Sequence, residues 1–302
     1  MKSNKLQKQK PIVVVWILML IVSILPEVII KELFNAEVTH LQEIRLIFMM
    51  GIALGSLIIK QLSELRNYII VLAMITGLNY FGDIVQGFEI FGSFFGGEDK
   101  AFIQGLASYQ LIRLFKAIIM FFVLMGLFKE RRKFFFVKGN LDAIAKPIKG
   151  LVKNPTPWRK FAIQFGVYIT LGLLVFLVIA GGIPSGESFI KIVPILPFIV
   201  IFAGINSLYE ELNLRAAIIA TLKNHVGSGQ ALWISAVYFG IIHFYGVPYG
   251  VLGVLLATFL GYIIGNSMIE SGGFVYAFLL HIIQDIIIFA FLAIGAVKAG
   301  GL

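Results

Sequence analysis

The chain has 302 residues, 59% of them apolar and only 14% charged, with a net charge of +9 and no cysteine. A soluble domain carries about 45–50% apolar and about 25% charged residues, so most of this chain belongs in a membrane. The missing thiols exclude a disulfide framework, a thiolate metal site and a cysteine nucleophile. Any metal is left to carboxylates and four histidines.

The first ten residues carry Lys2, Lys5, Lys8 and Lys10, and an apolar run from Pro11 to Ile30 follows. About 20 apolar residues span a bilayer. No A-x-A cleavage site follows this run, so it reads as a retained span. Glu32, Glu37 and Glu43 mark an outer loop over 31–44. Spans are predicted over 45–60, 67–86 and 109–128. Between the last two, the Gly- and Phe-rich stretch 87–108 with Glu89, Glu98 and Asp99 suits an outer, interfacial segment. From Lys129 to Lys160, ten lysines and arginines (Lys149 among them) face two acids, a net charge of +8. A basic run between apolar spans marks a cytoplasmic loop beside anionic lipid, not a nucleic-acid site. Pro147, Pro155 and Pro157 break any helix there. Phe134-Phe135-Phe136 and Trp158 are expected at headgroup level. The second half holds spans over 161–181, 197–224, 230–245, 249–268 and 274–297. Gly261-x-x-x-Gly265 in the fourth of these permits close helix approach. Basic loops fall on one side and acidic loops on the other. The fold class is thus all-α, a polytopic membrane bundle of about eight or nine transmembrane helices. Its parts are a four-span region (1–128), the basic cytoplasmic loop (129–160) and a membrane core (161–302).

Three segments of that core carry ionisable groups at hydrocarbon depth, where they are costly and usually functional. They are Glu210-Glu211-Leu-Asn-Leu-Arg215, Phe239-Gly-Ile-Ile-His243 and His281-Ile-Ile-Gln-Asp285. Glu210 precedes Lys223 by thirteen residues and His243 follows Gln230 by thirteen, so at about 1.5 Å per residue both lie ~20 Å from one inner turn. His281 and Asp285 come to a similar depth. Glu211 and Arg215 are i,i+4, as are His281 and Asp285, so each pair shares a helix face. Phe239 stands one turn before His243 and can wall the imidazole from lipid. Glu210 and Glu211 differ by about 100° around the axis, so one faces a cavity while the other pairs with Arg215. Asn206, Asn213, Asn266 and Gln284 read as helix–helix hydrogen-bonders, and His40 and His225 as solvated.

Amide hydrolysis needs a base for water and a stabiliser for the oxyanion, and this set supplies both. Glu210, His243, His281 and Asp285 are equally candidates to hold zinc or another divalent metal with an open position for water. A metal-bound water and a metal-free glutamate mechanism both stay open.

The three motifs together, in this order on successive apolar helices, resemble the CPBP family of intramembrane proteases. That family includes the type II CAAX prenyl endopeptidases and bacterial Abi-type proteins linked to bacteriocin self-immunity. The resemblance covers about residues 160–297. It implies that Glu210 activates water, that His243 helps to hold it, and that His281 and Asp285 orient the carbonyl or stabilise the oxyanion. Glu211, Arg215 and Phe239 are supporting. The prenyl endopeptidases carry Asn where Asp285 stands, which puts its oxyanion role in question and favours a part in orienting His281 or in binding metal. The implied protein is a plasma-membrane endopeptidase, multi-pass, with its N-terminus cytoplasmic and a membrane-bound peptide or protein as substrate. Lipid is its other partner. The alternatives are a non-catalytic immunity or signalling scaffold and, last, a small transporter.

Overall fold

A computed structural model describes residues 2–37, 39–95, 101–148, 150–151 and 153–298, with backbone alone over 2–11. Glu98, Asp99 and Lys149 lie outside the described residues, as do the side chains of Lys2, Lys5, Lys8 and Lys10. The chain is a polytopic all-helical membrane protein. Its helices are α1 (Lys2–Val22), α2 (Leu25–Phe34), α3 (Leu41–Ile58), α4 (Lys60–Ser63), α5 (Arg66–Gly87), α6 (Glu89–Phe95) and α7 (Phe102–Phe128). Then come α8 (Trp158–Gly181), α9 (Gly186–Ile192), α10 (Leu196–Glu210), a π-helical turn (Glu211–Ala216), α11 (Ala217–Val226), α12 (Ser228–Ile242), α13 (Val251–Ser271) and α14 (Val275–Lys298). Strands are confined, among the described residues, to an antiparallel pair of two residues each, Ile144–Ala145 with Thr156–Pro157.

Among the described residues seven helices are long and apolar enough to cross a membrane, or eight if a bent pair counts as one span. Two expected spans account for the difference from nine. The run 11–30 breaks between α1 and α2 with a 60° bend. Pro26 in the first turn of α2 has no N–H to continue the helix. Ser23 takes up the exposed backbone there, donating to Leu20 O (2.7 Å) and accepting from Leu25 N (3.1 Å). The run 230–245 becomes α12, only 15 residues long, which stops just before His243.

The chain folds as two compact units. The first comprises Met1–Phe81, Met120–Phe136 and Leu212–Ile269. Here α1 packs on α11 and α12, tied by Trp16 Nε1–H to Gln230 Oε1 (3.1 Å) and by Tyr68 O–H to Val15 O (3.1 Å). Small residues let α12 and α13 meet. A Cβ on Gly240 would stand 1.9 Å from Thr258 Oγ1 and 2.6 Å from Val254 O. The Gly261/Gly265 pair acts as its spacing predicts: a Cβ on Gly265 would come within 2.6 Å of Leu232 Cδ1. Phe134 is fully buried, against Phe121 and Phe128. Phe135 is buried as well, under the Lys223 ammonium 4.3 Å from its ring.

The second unit comprises Gly82–Ile119, Val137–Glu211 and Glu270–Leu302. Its core is the seam between α10 and α14, where Ile199, Ala203, Phe289 and Ala293 interdigitate, with α8 and α9 against α14. Part of the basic segment is tied down here rather than solvated. Asn140 N–H donates to Ser271 O and Phe274 N–H to Val137 O, each at 2.8 Å. The backbones cross so closely that a Cβ on Gly273 would lie 2.4 Å from Gly139 Cα. Trp158 is wholly buried on Phe161 and Tyr276, and its indole N–H is satisfied by Glu270 Oε2 at 2.8 Å.

Gly240→Ala should force the α12–α13 contact apart, and overpacking of this kind costs roughly 1–3 kcal/mol. A thermal-unfolding series in detergent should show a lowered midpoint for this variant. Gly126→Ala, where a Cβ meets nothing within 4 Å, should show no loss.

Candidate functional site: a buried imidazole among three carboxylates

The Glu-Glu-x-x-x-Arg motif does not lie on regular α-helix. The α geometry ends at Glu210 and a π-helical turn runs over Glu211–Ala216. Single π turns are rare and recur at functional sites. A π turn widens the helix and turns successive side chains through a smaller angle than 100°. It also leaves carbonyls for outside donors. Ser235 Oγ–H fills one such place, donating to Leu214 O (2.8 Å) within the first unit.

In the second unit, α10, the start of the π turn and α14 bring together Glu210, Glu211, His281 and Asp285, each 5% exposed or less. His281 sits at the centre. Its Nδ1 is 2.6 Å from Glu211 Oε1, and its Nε2 is 3.4 Å from Glu210 Oε2 and 3.6 Å from Asp285 Oδ2. Both glutamates lie against the same imidazole, one at each ring nitrogen. An ionised Glu211 only accepts, so Nδ1 carries the proton of the short bond and Nε2 is presented to the other two acids.

Asp285 is held in turn. Its Oδ2 accepts from Asn206 Nδ2–H and Ser207 Oγ–H, both at 2.9 Å. Asn206 is thus the interhelical hydrogen-bonder predicted, and its partner is a site residue. Gln284 is another, donating to Thr170 Oγ1 on α8 (3.1 Å). Ser207 carried no signal in the sequence beyond its place one turn before Glu211. Arg113 carried none either, being one cation on a distant span. It reaches Glu210 Oε1 at 3.8 Å, and its guanidinium lies 5.7 Å from the Tyr209 ring centroid.

The first unit carries the remaining motif residues. Arg215 is fully buried with its guanidinium 3.8 Å over the Phe239 ring, a cation–π contact strengthened by the absence of water. Gly261 makes room for it: a Cβ there would sit 3.1 Å from both Arg215 Nη1 and Phe239 Cδ1. Phe239 also walls His243 as its spacing predicts, with ring centroids 4.3 Å apart. His243 caps α12, half-buried, with Nδ1 2.7 Å from Phe239 O. The carbonyl only accepts, so the proton is on Nδ1 and Nε2 is left to other partners. His40 and His225 are exposed, as expected.

Glu210, His281 and Asp285 have the chemistry of metal ligands. Even so, among the described residues no three His, Asp or Glu side chains are set as a group that can hold a metal ion.

Fold and site together define a multi-pass helical membrane protein with an acid–histidine cluster buried in its core. Residues 192–287 match the family model described as type II CAAX prenyl endopeptidase Rce1-like. That segment contains all three motifs. No curated protein and no solved structure matches the chain.

The two donors on Asp285 give a test of the cluster. Ser207→Ala leaves a buried carboxylate short of a hydrogen bond, a loss on the order of 1–3 kcal/mol. Its unfolding midpoint in detergent should fall, and Ser207→Thr, which keeps the hydroxyl, should recover most of it.

Proposed function

We propose that the protein is an intramembrane endopeptidase that cleaves membrane-associated peptides with a water activated by Glu210. The supporting observation is the imidazole of His281 held between Glu211 and Glu210. It is a positioned proton carrier beside a buried carboxylate, as general acid–base catalysis requires.

In this reading Glu210 takes a proton from water as the oxygen adds to the scissile carbonyl carbon. The carbonyl oxygen becomes an oxyanion and receives a hydrogen bond from the Nε2–H of His281 in its imidazolium form. The C–N bond then breaks, and the leaving amine takes the proton held by Glu210. Glu211 fixes the tautomer and tilt of His281. Asp285, anchored by Asn206 and Ser207, serves as a second holder of that ring rather than as an oxyanion donor. Arg113 offsets charge at Glu210. The family resemblance assigns His243 to holding the water. The basic segment 129–160 and the Lys-rich N-terminus put those parts on the cytoplasmic face of the plasma membrane by the charge asymmetry of the loops.

Purified protein in detergent should cleave a membrane-anchored peptide. Glu210→Gln and His243→Ala should each abolish cleavage, a loss of at least ~100-fold for removal of a general base. Full cleavage by both variants would remove the hydrolase reading, and protection or signalling that survives both would favour a scaffold instead. Titration with a strong chelator should leave cleavage unchanged. Loss on chelation with recovery on adding zinc would replace the glutamate-only mechanism.

Arg113→Leu and Arg113→Lys separate charge from shape at Glu210. The leucine variant should lower kcat about tenfold, as loss of ~1.4 kcal/mol of transition-state stabilisation does. The lysine variant should restore much of the rate.

A further inference from the structure

Within the second unit a groove of about 770 Å³ runs between α8 and α14. Its walls are aliphatic, with Ile163, Val167 and Leu171 on one side and Leu279, Leu280 and Ile283 on the other. All but Leu280 are exposed, so the groove opens sideways. Gly166 keeps it deep, since a Cβ there would come up against Leu280 at 3.4 Å. Two charged residues line it, Asp142 and Arg159, both exposed and both at the end where α8 and α14 begin. They act with opposite sign on the Tyr276 hydroxyl, which donates to Leu141 O beside them. Among the described residues neither Asp142 nor Arg159 is in an ion pair.

The dimensions fit one lipid chain. From Arg159 to Leu171 the groove follows twelve residues of α8, about 18 Å at 1.5 Å per residue. One leaflet of a ~30 Å hydrocarbon core is about 15 Å deep. The charged end therefore falls at headgroup level and the aliphatic walls at acyl-chain depth. The two charges select the headgroup. Arg159 offers a fork of N–H donors to a phosphate, and Asp142 offers a carboxylate to a cation that can donate hydrogen bonds. A phosphoethanolamine head satisfies both at once. A choline head has no N–H for Asp142, and a glycerol head has no cation.

We infer that the α8–α14 groove is a seat for one phosphatidylethanolamine molecule, with its phosphate on Arg159, its ammonium on Asp142 and an acyl chain along the aliphatic walls. The seat lies behind the helix that carries the acid–histidine cluster. Leu280 adjoins His281, and Thr170 in the groove wall accepts the hydrogen bond of Gln284 beside Asp285. A seated chain thus steadies α14 where site and groove share it.

The test is native mass spectrometry of the detergent-purified full chain titrated with dioleoyl phosphatidylethanolamine, phosphatidylcholine or phosphatidylglycerol. One ethanolamine lipid should be retained about tenfold more tightly than either other, the margin expected for one charge-assisted contact. Arg159→Ala should weaken it about tenfold by the same reasoning. Asp142→Asn should erase the preference for ethanolamine over choline while leaving the lipid bound. Gly166→Leu, or Ile163→Trp should the first variant not fold, should end retention of all three lipids with the thermal midpoint otherwise kept. Equal retention of the three lipids, tighter retention of the glycerol lipid, or indifference to both charge variants would overturn the assignment. None of these readouts depends on peptide cleavage.

Discussion

Burying charge in a hydrocarbon setting is the constraint from which the rest of the second unit follows. An ionised carboxylate without partners costs several kcal/mol even after relaxation, and three of them cannot persist unless something holds each. His281 meets that need by lying against all three acids at once, at 2.6, 3.4 and 3.6 Å. Asn206 and Ser207 complete Asp285, and Arg113 balances Glu210. The α10–α14 seam, with its small Ala203 and Ala293 among larger apolar residues, lets the two helices approach closely enough for these contacts. Packing and chemistry are therefore one requirement here, and loosening the seam would leave charges uncompensated.

The π turn is the local device that makes the arrangement possible. Adjacent residues on a regular α-helix point about 100° apart, and two successive glutamates would then serve different neighbours. Starting the wider turn at Glu211 brings both carboxylates to the same ring. The irregular backbone needs support, and Ser235 and the glycines of α13 provide it within the first unit, along with space for the buried Arg215. Such a distortion in a membrane helix is tolerated only where protein surrounds it. Within the turn, Arg215 lies buried on Phe239.

The basic segment shows how a surface property and a packing role coexist. Its charge marks the face of the membrane it occupies, yet Trp158 is sealed inside against Tyr276 and Glu270, and Phe134 inside the first unit. An indole or phenyl ring gains more from full removal from water than from a place at the headgroups, provided its polar atom is paired. Glu270 supplies that partner for Trp158, and the crossing at Gly139 and Gly273 brings the loop close enough for it to do so.

Composition and hydropathy alone settled the class, most span positions and the three motifs, because a membrane span needs a run of apolar residues long enough to see in one dimension. The i,i+4 spacing of His281 and Asp285 and the stacking of Phe239 on His243 were equally legible, since helical periodicity is local. What the linear order did not carry was the π turn, which begins at Glu211 as both glutamates meet His281. Nor did it carry Arg113 and Ser207, which reach the cluster from positions with no motif of their own. The 60° break at Ser23 and the shortness of α12 depend on how backbone groups are satisfied at particular turns. Those choices are made by contacts between segments far apart in the chain, so only the folded structure decides them.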